Sequence, residues 1–176
     1  MVSSQDIEYL RQCVDLAREA LSTGDAPFGS MLVNPSTSTI HARDRNRTVS
    51  GSSPLFPGSP SGPDATLHPE FTLARWAGMN LSEKERKACT VYTSGEHCAM
   101  CSAAQAYCGV GRIVFASSTK QLEAWMNELQ PYDERVLAPL GINEVAPGIK
   151  IEGPAEEFAE EMKELHRQSR DKRMKT

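Results

Sequence analysis

Two short motifs hold the residue types that do chemistry, His68-Pro69-Glu70 and Cys98-Ala99-Met100-Cys101. A Cys-x-x-Cys on the first turn of a helix places two thiolates within reach of one ion. The helix dipole and its free N–H groups help keep them ionised. A histidine from a second helix start makes a third ligand, and Zn2+ accepts such a mixed N and S set in tetrahedral geometry. Three protein ligands leave one position for water, the pattern of a catalytic site, whereas structural sites usually have four. Glu70, two residues past His68, can point its carboxylate at that water without ligating the metal. Zinc lowers the pKa of such a water to about 7. Glu70 can take the proton while the oxygen attacks a ring carbon bearing an amino group, then protonate the ring nitrogen and assist departure of ammonia.

The elements that must position these residues follow from pattern. Ser3 or Ser4 can cap a first helix in which Ile7, Leu10, Val14, Ala17 and Leu21 fall at helical spacing, with Gly24 as a stop. Phe28 to Val33 reads as a buried strand and Ile40 to Ala42 as part of a second. Residues 50–63 are dominated by Ser, Gly and Pro, a long surface loop. A second helix is expected from His68 towards Gly78, a strand over Thr90 to Thr93, and an Ala-rich helix over Cys98 to Tyr107. A strand over Arg112 to Ala116 and a helix over Thr119 to Leu129 follow. Val145 to Ile151 fits a short strand interrupted by Pro147 and Gly148, and Pro154 fits the first position of a final helix. That helix carries Glu156, Glu157, Glu160 and Glu161 near its positive end and the basic run Arg167 to Lys175 at its negative end. Alternating strands and helices predict an α/β sandwich around one sheet.

The 176 residues suffice for one domain with a buried core, 1–176, and no internal repeat is visible. Hydrophobic content of 39% and charged content of 24% are those of an ordinary soluble globular chain. No apolar run approaches the roughly 18 residues that span a membrane. The start Met-Val-Ser-Ser-Gln-Asp lacks the basic and apolar stretches of a secretory signal, so a cytoplasmic location is expected, with the nucleus also open. A formal net charge of −4 argues mildly against a nucleic-acid groove. Five cysteines without an export signal do not suggest a disulfide framework. Cys13, Cys89 and Cys108 read as small buried hydrophobes. Trp76 is expected in the core, Trp125 in the core or at a dimer contact, and His41 and His166 at the surface or a strand edge.

H-x-E followed by C-x-x-C is the known signature of zinc deaminases acting on nucleobases, and the chain resembles the cytidine and deoxycytidylate deaminase superfamily from the first helix to Ser117. Asp64-Ala65-Thr66-Leu67-His68-Pro69-Glu70 is similar to the family stretch D-P-T-A-H-A-E. Val91-Tyr92-Thr93-Ser94-Gly95-Glu96-His97-Cys98 is similar to a strand and turn ending in T-x-E-P-C. Pro27-Phe28-Gly29 and Gly111-Arg112-Ile113-Val114-Phe115 also fit, and the details resemble the branch with guanine deaminase, fungal cytosine deaminase and tRNA adenosine deaminase. The resemblance implies a three-layer α-β-α cytidine deaminase-like fold around a five-stranded mixed sheet, with the metal helices on one side. It also implies a homodimer and a small base or nucleoside as substrate. Asn46 matches a substrate-contacting asparagine, and Glu96 a position whose backbone carbonyl lies near the leaving amino group. Phe28 either shapes the pocket or serves as strand core.

Two departures bear on the substrate. His97 stands where the family has proline, and reads as a loop residue, a substrate contact or, less favoured, a metal ligand. Pro69 replaces a residue with a backbone N–H, so a ring atom held by that donor in relatives cannot be held here. Residues 47–63 look longer than their family counterpart. A disordered insertion is expected there, with a lid or dimer contact involving Leu55 and Phe56 as the alternative. Deamination of a tRNA adenosine is the second functional reading. A non-catalytic zinc module is disfavoured because Glu70 is present. A redox role for the cysteines leaves His68 and Glu70 unexplained.

Overall fold

The computed structural model describes residues 1–129 and 137–174. Helix α1 (Ser4–Ser22) opens on a capping box, with Ser3 Oγ accepting from Asp6 N–H and the Asp6 carboxylate accepting from Ser3 N–H. Strands β1 (Gly29–Asn34) and β2 (Thr39–Arg45) form a hairpin. Helices α2 (Pro69–Asn80) and α3 (Glu83–Ala88) lead to β3 (Thr90–Gly95), and α4 (Ala99–Cys108) joins it to β4 (Arg112–Ser117). Helices α5 (Thr119–Glu128) and α6 (Ile142–Val145), strand β5 (Lys150–Glu152), a 3-10 turn (Glu156–Phe158) and α7 (Ala159–Arg173) complete the described chain.

The five strands form one mixed sheet in the order β2-β1-β3-β4-β5. The β2-β1-β3 part is antiparallel and the β3-β4-β5 part parallel. Alternation along the strands builds two apolar layers. Met31, Val33, Tyr92, Val114 and Ala116 face α1, α5 and α7. Leu32, Val91, Ile113 and Phe115 face α2, with Leu73 and Ala77, and α6, with Ile142. Helices therefore cover both faces, and α2 and α4 pack together on one of them. No helix among the described residues is long and apolar enough to cross a membrane.

Several expectations need correction. Val145 is helical and the last strand is only Lys150–Glu152. Pro147 and Gly148 lie instead in a turn closed by Ile149 N–H on the Ala146 carbonyl, since proline cannot donate to a ladder. Pro154 does not start the final helix. Ala155 N–H is still bonded to the Ala116 carbonyl on β4, so helical turns begin only at Glu156. Residues 47–63 are irregular but docked. Leu55 packs on the α2-side core, the Arg75 guanidinium lies 4.3 Å from the Phe56 ring centroid, and Ser53 Oγ donates to Asp44. His166 is 4% exposed, wedged by α7 between Phe28 and Trp125, and is not a surface residue. His41 does lie on edge strand β2. Cys13, Cys89 and Trp125 are buried. Lys175, counted in the basic terminus, lies outside the described residues.

Candidate functional site

His68 and Cys98 are the N-cap residues of α2 and α4. Neither side chain caps its helix, so both remain free to turn towards a common point. Cys101 comes one turn later on α4. His68 Nδ1 lies 3.7 Å from each sulfur, and the two sulfurs are 3.6 Å apart. Zinc bonds of about 2.3 Å to sulfur and 2.0–2.1 Å to nitrogen at a tetrahedral angle require about 3.8 Å between sulfurs and 3.6 Å from sulfur to nitrogen. The three donors therefore fit one zinc ion and are the group among the described residues that could hold it.

The two thiols are unequal. A hydrogen bond from the Cys101 thiol, aided by one with His68, holds Cys98 down at about 3 against its burial. Cys101 is pushed well up by the same Cys98 contact, by burial and by Glu70. His68 is raised by its bond to Cys98, with burial opposing. A metal ion would take the place of the proton that the thiols share.

Glu70, on the first turn of α2, is 4% exposed. Its Oε1 accepts from Ser30 Oγ (3.1 Å) and Thr93 Oγ1 (3.0 Å), while Oε2 faces the Cys101 sulfur at 3.6 Å. The carboxylate thus sits beside the three donors and is not one of them. His68, Glu70 and Cys98 open onto a cavity of about 390 Å³ whose other walls include Phe28, Glu96, Thr119, Leu122 and residues 137–140. A larger hollow of about 640 Å³, lined by residues of the 52–65 loop with Leu67 and Arg75, includes none of the three donors.

The other expected contacts divide. Phe28 is a cavity wall and packs edge-on against His166 at 5.2 Å. Gly95 makes room for it, since a Cβ there would come within 2.7 Å of the Phe28 ring. Glu96 lines the cavity, but its carboxylate is engaged by Thr119 N–H (2.8 Å) and Ile142 N–H (2.9 Å). Asn46 is not among the lining residues. Its Oδ1 accepts from Thr48 N–H and Oγ1, and its own N–H donates to the Phe28 carbonyl. Pro69 is buried in the first turn of α2. His97 is a loop residue, yet fully buried, and neither ring nitrogen has a hydrogen-bond partner among the described residues. Burial lowers its pKa, and it belongs neither to the donor cluster nor to the cavity wall.

Sequence reasoning missed Ser30, Thr93 and Gln105, whose Nε2 donates to the Glu70 carbonyl at 2.8 Å. Ser30 and Gln105 stood out as polar residues beside apolar neighbours, whereas Thr93 lies in a strand that is already half polar and carried no signal. It also missed Thr119, Leu122 and the 137–140 wall, where small and apolar types carry no chemical signature.

A family model describing the cytidine and deoxycytidylate deaminase zinc-binding region matches residues 3–117. A probable cytosine deaminase of Schizosaccharomyces pombe is 31% identical over 122 residues, 69% of this chain and 65% of that protein, just under two thirds of its length. A tRNA-specific adenosine deaminase of Haemophilus influenzae is 25% identical over 132 residues, 75% of this chain and 69% of that protein. Among solved structures, a guanine deaminase from Nitrosomonas europaea superposes with a TM-score of 0.59 at 19% identity, covering 95% of this chain and 86% of that one.

Proposed function

The chain belongs to the cytidine and deoxycytidylate deaminase family, and on that premise we propose that it hydrolytically deaminates an amino-substituted ring of a free base or small nucleoside, releasing ammonia. The observation that carries this reading is the Glu70 carboxylate beside a three-donor zinc cluster at the wall of one cavity. His68, Cys98 and Cys101 would hold the zinc ion, which would supply the Lewis acidity that makes water a nucleophile at neutral pH. Glu70 takes a proton from the water as its oxygen bonds to the ring carbon. It passes that proton to the ring nitrogen, then takes the second proton from the newly attached hydroxyl and passes it to the amino group, so that the C–N bond breaks, the carbonyl forms and ammonia leaves. Phe28, Leu122 and residues 137–140 flank a flat ring. With the Glu96 side chain committed to Thr119 and Ile142, its main-chain carbonyl is the group we assign to the amino substituent. Asn46, whose N–H holds the Phe28 carbonyl, contacts the substrate, and Pro69 removes a main-chain donor that a ring atom could otherwise use. His97, buried in the loop just before α4, is the remaining candidate for a substrate contact. A single catalytic domain, working as a homodimer in the cytoplasm, is the setting we propose.

Ammonia release should be measured on aminopurines, aminopyrimidines, pteridines and their nucleosides, alongside a tRNA anticodon stem-loop. Turnover of a free base or nucleoside is expected. The sequence likeness to a tRNA-specific adenosine deaminase favours the second reading, and turnover of the stem-loop alone would establish it over the first.

A further inference from the structure

Glu70 is held by residues that are not metal donors. Gln105 on α4 fixes its main-chain carbonyl. Ser30 on β1 and Thr93 on β3 are partners across the antiparallel register, and their hydroxyl oxygens lie 2.9 Å apart. Both reach Glu70 Oε1, and both are fully buried. β1 is otherwise Met31, Leu32 and Val33 at its centre, so a hydroxyl in this strand is an exception to its apolar character.

We propose that Ser30 and Thr93 are positioning residues that clamp Glu70 Oε1, so that Oε2 alone is presented to the zinc cluster and the reacting ring. The proposal rests on the deaminase reading of the site. The terminal torsion of a glutamate is broad and two-fold, so an unclamped carboxylate can exchange its oxygens or swing away. Each hydroxyl carries one proton, and Ser30 Oγ could also donate to Thr93 Oγ1, and Thr93 Oγ1 to the Gly95 carbonyl at 3.0 Å; directed onto Glu70 Oε1 the two protons remove that freedom, and hydrogen bonds to an ionised acceptor are the stronger kind. The carboxylate must serve two sites in turn, the water and the ring nitrogen. A supporting shell that fixes its plane in advance is therefore worth rate and not affinity.

The test compares zinc-loaded Ser30→Ala, Thr93→Val and the double variant with the parent. Each single variant is expected to lower kcat roughly 10- to 100-fold, with KM, zinc content and thermal midpoint near parent values. The double variant should lose less than the product of the two, because both hydroxyls act on one oxygen. Thr93→Ser, which keeps the hydroxyl, should recover most of the Thr93→Val loss. A crystal structure of the zinc-loaded double variant should show the Glu70 carboxylate turned or in more than one orientation. Parent kcat in the double variant, an unmoved carboxylate, or rate loss that tracks zinc loss in every variant would overturn the clamp. If the parent deaminates no ring at all, the functional reading fails, and the clamp is judged by the crystal structure alone.

Discussion

Glu70 differs from the other buried carboxylates in its company. Asp6 pairs with Arg112, Asp25 with Arg45 and Asp44 with Arg47, whereas Glu70 faces two hydroxyls and a thiol with no cation paired to it among the described residues. A carboxylate locked to an arginine is structural, and one left beside three metal donors is available for proton transfer. Glu70→Gln keeps the acceptor oxygen for Ser30 and Thr93, so zinc content and fold should persist. Turnover should fall by about 10²–10⁴-fold, the usual worth of a proton-transferring group. Metal analysis and ammonia release on the same preparation check this, and parent-rate turnover would remove Glu70 from the mechanism. Pro69→Ala restores a main-chain donor to the first turn of α2. A buried polar atom that gains or lacks a partner shifts binding by about 1–3 kcal/mol, or roughly 5- to 150-fold. The variant should therefore change the ranking of ring substrates at unchanged zinc content, as read by kcat/KM across the panel.

At the scale of elements, Gly29 lets β1 approach α1. A Cβ at this position would lie 2.4 Å from Leu16 Cβ, 2.6 Å from the Cys13 carbonyl oxygen and 2.9 Å from Ala17 N. Two of those atoms are backbone and cannot rotate away. Gly29→Ala should cost about 3 kcal/mol or more, seen as a lower urea midpoint, and should disturb the neighbouring Ser30. What was legible in the sequence followed the same logic. Ser3, one of two cap candidates, announced α1, and the short runs Phe28 to Val33, Thr90 to Thr93 and Arg112 to Ala116 announced strands of the sheet. His68 and Cys98 each stood where a helix had to begin. The Ser82 and Glu85 capping box of α3 was equally present in the sequence, but it sits in a charged six-residue helix with no apolar face to mark it. Residues 47–63 read as disordered because their composition is polar. Their order comes from Phe56 under Arg75 and Ser53 on Asp44, contacts with residues distant in the chain that local composition does not encode. His166 was misplaced because a lone histidine in a charged helix resembles a surface residue. Only the packing of α7 against Phe28 and Trp125 shows otherwise.

Across the whole molecule, buried histidine and paired carboxylates set the response to acid. Burial holds His166 down at about 3, below its ordinary 6.5. Below pH 6.5 the unfolded chain takes up a proton that the fold refuses, so stability falls as pH drops from 6.5 towards 3, by about 1.4 kcal/mol per pH unit for this one group. Glu152, drawn down to about 2 by Arg112, adds a loss that begins near 4.5 and completes as pH falls through 2. His166→Leu should flatten the urea-derived stability curve between pH 6 and 4 without abolishing its slope, because His97 is shifted in the same direction. An unchanged slope would place the acid sensitivity elsewhere. The cavity has a further consequence. Its zinc donors, its carboxylate and the two hydroxyls all lie before residue 118, while Thr119, Leu122 and residues 137–140 come after it. The bond-breaking groups are thus written in the earlier stretch of the gene, together with Phe28, Pro69 and Glu96, and the rest of the ring-flanking wall in the later one. Mutation in the later stretch can alter which ring is admitted without touching the bond-breaking apparatus, so a lineage could change its diet while inheriting its chemistry intact.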